Sequence, residues 1–180
     1  MKPIHIRLTT AASLVLLVAL SRTLPHPPNF TPVMAMALFG GAMFERKWIG
    51  LVVPMLAMLL SDALIGFHST MGAVYGSLAL AWGIGVVALQ KPTFGRVVAS
   101  SLSASILFFL ITNFAVWYGS TFYPQTPGGL LACYTAGLAF YNNQSFFLNG
   151  VFGDLAFSGL LFGGYALLQR RFPVLRPASV

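Results

Sequence analysis

Six apolar runs take up most of this sequence, and the links between them hold nearly all of its charge. They cover residues 8–24, 32–44, 48–66, 72–89, 97–118 and 146–168. A helix of about 20 residues bridges a hydrocarbon core of roughly 30 Å. Backbone polar groups in lipid must be satisfied within the segment, so each run is expected as a helix. Charged residues make up 7% of the 180-residue chain, against about 25% in soluble domains. Too few polar side chains remain to cover a water-facing surface. The expectation is an all-α fold: one polytopic membrane bundle of six transmembrane helices.

The second run is the shortest, its 13 residues rising only about 20 Å as a helix. Thr31 is its expected N-cap and Pro32 its first helical residue, with Lys47 snorkelling at its far end. Lys2, Arg7, Arg46, Lys47, Lys91, Arg96, Arg170, Arg171 and Arg176 fall on one side of the six-span arrangement and Arg22 alone on the other. Positive charge collects in cytoplasmic links, so both termini are expected inside. Residues 1–21 also have the layout of a signal peptide, with Ala19-Leu20-Ser21 as a cleavage site. Cleavage would leave five spans, whereas Arg22 and the Pro-rich stretch after it read as a shaped loop that keeps the first.

The net charge of +7 comes from short clusters between apolar runs. That is the pattern of topology signals, not of a nucleic-acid-binding face. One cysteine, Cys133, permits no intrachain disulfide or cysteine-based zinc site. The histidines lack the spacing of a helical metal site, and no Walker A sequence or Gly-rich nucleotide loop is present. No cofactor is implied.

The chain has three acidic residues. Glu45 sits in a charged link; Asp62 and Asp154 lie inside expected spans. A carboxyl there either serves function or ties helices together by hydrogen bonds. Counting along the spans puts Asp62 about 6 Å, Asn113 about 7 Å and Asp154 about 12 Å below the outer ends. Arg22, Asn29, Asn142 and Asn143 belong to the same outer side, and Ser158 shares the face of Asp154. These eight residues are the expected walls of a substrate pocket open to the outside. Small pairs four apart (Ala37 and Gly41, Gly72 and Gly76, Ala79 and Gly83, Gly159 and Gly163) are expected at helix contacts. The long outer link, residues 119–145, lacks charge. A short helix is expected over residues 130–141, and the link is expected to act as a lid, with Gly128-Gly129 as pivot and Tyr123, Tyr134 and Tyr141 as cover.

Pro28-Asn29-Phe30-Thr31-Pro32 running into Met34 to Gly41, Ser61-Asp62-Ala63, Thr112 to Trp117 and Phe147 to Asp154 carry a resemblance. In these segments the chain resembles the S components of energy-coupling-factor transporters, small six-helix subunits that bind a vitamin or other micronutrient. More narrowly it resembles an uncharacterised bacterial family of proposed transport proteins related to them. The resemblance implies a small-molecule nutrient as ligand, a pocket near the outer face and a place in the bacterial inner membrane. It also implies a coupling membrane subunit and ATPase subunits as partners, and no enzymatic turnover. S components often carry alanines four apart on the first helix for docking; here that row is Ala11, Val15, Ala19. Two other readings compete. One is a structural or assembly protein without ligand. The other is an intramembrane aspartyl protease using Asp62 and Asp154, although neither carboxyl stands in the Tyr-Asp or Gly-x-Gly-Asp motif of such enzymes.

Overall fold

The computed structural model describes residues 3–142 and 144–176. Its helices are α1 (Pro3–Leu20), α2 (Val33–Met43), α3 (Lys47–Ile65), α4 (Met71–Ala88), α5 (Phe94–Gly119), α6 (Pro127–Leu138), α7 (Phe146–Ser158) and α8 (Gly164–Arg171). A 3-10 turn, Ser21–Thr23, extends α1, and a π turn, Gly159–Gly163, joins α7 to α8. The strands β1 (Phe140–Tyr141) and β2 (Gln144–Ser145) form a small antiparallel hairpin.

Among the described residues, five helices are long and apolar enough to cross a membrane: Pro3–Thr23, Lys47–Ile65, Met71–Ala88, Phe94–Gly119 and Phe146–Arg171. The chain is a multi-pass helical membrane protein. Its helix α1 begins before the apolar run does. Pro3 suits a first helical position, and the Arg7 side chain bonds Glu45 at 2.7 Å and the Arg176 carbonyl at 3.1 Å. Helix α6 starts at Pro127, three residues ahead of expectation, because the Thr126 hydroxyl accepts the Gly129 N–H at 3.2 Å. Thr93 and Ser145 cap α5 and α7 in the same way.

Helix α2 is shorter than expected, and Thr31 does not cap it; Pro32 precedes it with no side-chain cap of its own. Its length of about 16 Å would be a poor match to lipid, but lipid is not its surroundings. Val33 through Gly41 are all buried, enclosed chiefly by α3, α4 and α7. Lys47 is part-buried at the far end of α2. Its ammonium donates to the last carbonyls of α2, Gly41 at 2.9 Å and Ala42 at 3.3 Å.

Of the eight residues in the expected small pairs, Gly41 sits at the tightest crossing, where a Cβ would strike the Trp82 carbonyl. Gly40 on Gly50 and Gly85 on Leu38 approach as closely, backbone against backbone. Gly72, Gly76, Gly83, Gly159 and Gly163 face open space instead. A small residue makes a contact only where another backbone lies opposite, and local spacing does not encode that. Gly40→Ala and Gly85→Ala should each therefore lower the thermal midpoint, by at least the 1–3 kcal/mol, roughly, of an overpacked core. Gly76→Ala should not lower it. Equal midpoints for all three variants would contradict this packing.

Candidate functional site

At the end of the bundle away from Arg46, Arg170 and Arg171 lies a cavity of about 320 Å³. Four of the expected residues line it: Arg22, Asn29, Asn113 and Asp154. Thr31, His68, Thr70 and Thr112 add polar groups, and Phe108, Phe109, Phe146 and Phe147 supply aromatic surface. The volume is at the lower end of the ligand-pocket range, and apolar walls with a few placed polar groups are typical of such pockets.

Two distant segments meet at the cavity wall. The Asn149 amide donates to the Pro28 carbonyl at 3.0 Å, and the Asn29 amide to the Phe146 carbonyl at 3.4 Å. Gly153 lies close against the backbone of Phe30 and Thr31, where a Cβ would be crowded. Asn29 takes φ +63°, a left-handed conformation that Asn tolerates better than most residues. This docking brings Asp154 to the start of α2. Its carboxyl accepts the Ser105 hydroxyl at 2.7 Å. The backbone N–H groups of Met34 and Ala35 also face it. Those N–H groups have no partner within their own helix. Asp154 thus does from α7 what Thr31 was expected to do locally.

Asp62 is not a cavity wall. It is fully buried behind Arg22, whose Nη2 lies 2.8 Å from its Oδ1, while Tyr75 donates to Oδ2 at 2.9 Å. The Oδ1 approach is an ion-pair contact without hydrogen-bond alignment. The other Arg22 amino group bonds Ser61. The Arg22 side chain is 8% exposed, and its Nε is buried with no partner among the described residues. Asp62 therefore positions Arg22, and Arg22 reaches the cavity.

Ser158 is buried, 3.4 Å from the Ser101 hydroxyl, and lines a different crevice. It shares the phase of Asp154 but sits one turn deeper. Asn142 is exposed at φ +48°, in the turn of the hairpin, and is not in the cavity wall. Asn143 lies outside the described residues. Tyr75, Ser105 and the four phenylalanines were missed. The run Ser100-Ser101 with Ser105 marks a polar stripe at helical spacing, which could have pointed to Ser105.

Helix α6 covers the cavity beside α5. The Tyr134 hydroxyl donates to the Leu110 carbonyl at 2.9 Å, and Gly137 packs on Asn113 and Phe109. Gly129 abuts the Pro124 carbonyl so closely that its hydrogen is needed for space, not for pivoting. Tyr123 and Tyr134 are not among the lining residues. The Cys133 thiol faces the Asn113 carbonyl at 3.4 Å, and burial pushes its pKa up, away from the reactive thiolate form.

No group of three or more His, Cys, Asp or Glu suited to a metal occurs among the described residues. No curated protein and no solved structure matches the chain. A family profile does match, over residues 2–175, and describes a family of unknown function, DUF6580. The buried pair gives a direct test of this geometry. Asp62→Ala strands the Arg22 charge and should cost about 3–5 kcal/mol of stability. Arg22→Met combined with Asp62→Leu should recover most of that loss in thermal unfolding. A single variant as stable as the parent would contradict the pairing.

Proposed function

We propose, for a chain that belongs to the DUF6580 family of unknown function, that it is a substrate-binding transport protein of the S-component kind, taking up a vitamin or similar micronutrient. Here it crosses the bacterial inner membrane six times, with both ends in the cytoplasm. Helix α2 counts as the sixth crossing because protein surrounds it. The positive-inside distribution orients the bundle, with the cavity facing outward and the arginine-rich end inward.

The cavity carries this reading. Its aromatic walls suit a flat organic ring, and Asn29, Asn113 and the threonines offer donors and acceptors to ring substituents. Arg22 Nε is a buried side-chain donor at this cavity with no partner among the described residues. The Arg22 guanidinium as a whole lines the cavity, where it would attract a ligand carboxylate. Four Phe residues, with Asn and Thr side chains between them, match a compound with one ring and a polar edge.

One observation favours a carrier that works alone. Ala11, Val15 and Ala19, the row resembling a docking surface, are buried in the chain's own bundle, so a coupling subunit would have to dock on another face. The protease reading has less behind it. Asp62 is held by Arg22 and Tyr75, and Asp154 by Ser105 and the start of α2. The two carboxyls share no partner, whereas a protein using them as a proton-sharing dyad would need them adjacent.

The test is a thermal-shift screen of the purified protein in lipid nanodiscs against water-soluble vitamins and their biosynthetic precursors. A binding compound at about 100 times its Kd should stabilise the protein by about 2.7 kcal/mol. Asn113→Ala, which removes a cavity amide, should abolish that shift. A screen without any shift, or a shift that Asn113→Ala leaves intact, would sink the proposal.

A further inference from the structure

Ten Lys and Arg side chains face three acidic ones in this chain. All three acids are occupied. Glu45 holds Arg7 at 2.7 Å, Asp62 holds Arg22 at 2.8 Å, and Asp154 is buried against Ser105. Lys91, Arg96, Arg170 and Arg171 therefore have no carboxylate side chain in the chain to neutralise them. This end of the bundle therefore carries a net positive charge, which attracts anionic molecules.

Two apolar grooves run to these cations, one on either side of α8. The first, of about 640 Å³, lies between α5 and the α7–α8 rod. Phe94 and Val98 form one wall and Leu155, Gly159 and Gly163 the other, with Arg170 at the basic end. The second, of about 570 Å³, lies between α1 and α8. Leu14, Val18 and Leu168 line it, and Arg171 stands at its basic end. Gly159 and Gly163 have nothing within 4 Å of a Cβ position, so the helix there is thinned to its backbone. They begin and end the π turn, a feature frequent at functional sites.

Length and shape narrow the occupant. From Leu155 to Arg170 the rod rises about 22 Å. That is one leaflet's share of a core about 30 Å thick, plus part of the headgroup layer. A partner helix is a rigid cylinder about 10 Å across and could fill one groove but not both. Two flexible chains joined at a charged headgroup can straddle α8. We infer that the α8 rod is the binding site of an anionic phospholipid from the leaflet at the basic end, with an acyl chain in each groove and its phosphate at Arg170 and Arg171.

Native mass spectrometry of the full-length protein, released from nanodiscs holding equal phosphatidylglycerol and phosphatidylcholine, counts the lipids retained. The parent should retain phosphatidylglycerol preferentially. Arg170→Gln and Arg171→Gln should each weaken that retention about fivefold, since one basic residue near an anionic surface contributes about 1 kcal/mol. Gly163→Leu should fill the first groove and reduce retention of both lipids. Gly76→Leu, also facing open space, should not. Thermal midpoints in phosphatidylcholine alone check that each variant is folded. Equal retention of the two lipids by the parent would overturn the inference. So would undiminished phosphatidylglycerol retention in both arginine variants, or in a folded Gly163→Leu protein.

Discussion

A short helix buried in the middle of a membrane bundle must have its ends satisfied by side chains. The sides of such a helix are shut off from water, and each unpaired backbone group in hydrocarbon costs several kcal/mol. Helix α2 meets this condition with residues that are not its own. The Asp154 carboxyl lies at its start and the Lys47 ammonium at its finish. Acceptor and cation each stand at the end that the helix dipole favours. Between those ends, Gly40 and Gly41 let α3 and α4 approach to backbone contact. The hub of the bundle is thus a helix whose sides are glycine-lined and whose termini are held from α3 and α7.

The cavity follows from the same shortness. A helix rising about 16 Å in a core of about 30 Å leaves unfilled depth above its N-terminus. The Pro-rich loop, the link between α3 and α4 with the start of α4, the end of α5 and the start of α7 surround that depth, and α6 adds Gly137. Asp154 belongs to both features, as a cap for α2 and as part of the cavity wall. On the opposite wall, Asp62 is an inner support that holds the Arg22 guanidinium at the cavity edge. The few charges inside this protein are therefore arranged as holders, with Arg22 the charged group presented to the space.

The membrane helices were legible because lipid imposes length and hydropathy on sequence, and α3, α4 and α5 fall close to their expected limits. Four cavity residues were legible as well, since polar groups at similar depth in antiparallel spans end up together. What escaped was pairing across the fold. Nothing in the sequence joins Arg22 to Asp62 and Tyr75, or Asp154 to the first turn of α2. Ser158 shows a related limit: helical phase gives the face and not the depth. Asn142 shows another, because a turn residue at positive φ answers a backbone demand and resembles a ligand-binding amide only by type. Gly129 was misread for the converse reason, its service being close approach to Pro124 rather than freedom of φ.

Thermal unfolding of Asp154 variants in nanodiscs bears most directly on the claim that α2 is held by its capped ends. Asp154→Ala removes the acceptor for Ser105 and for the start of α2, and leaving buried donors unpaired costs about 1–3 kcal/mol apiece. Asp154→Asn keeps one acceptor oxygen. The order expected is parent, then Asn, then Ala, with a large drop at Ala. An Ala variant that unfolds at the parent's midpoint would contradict the account.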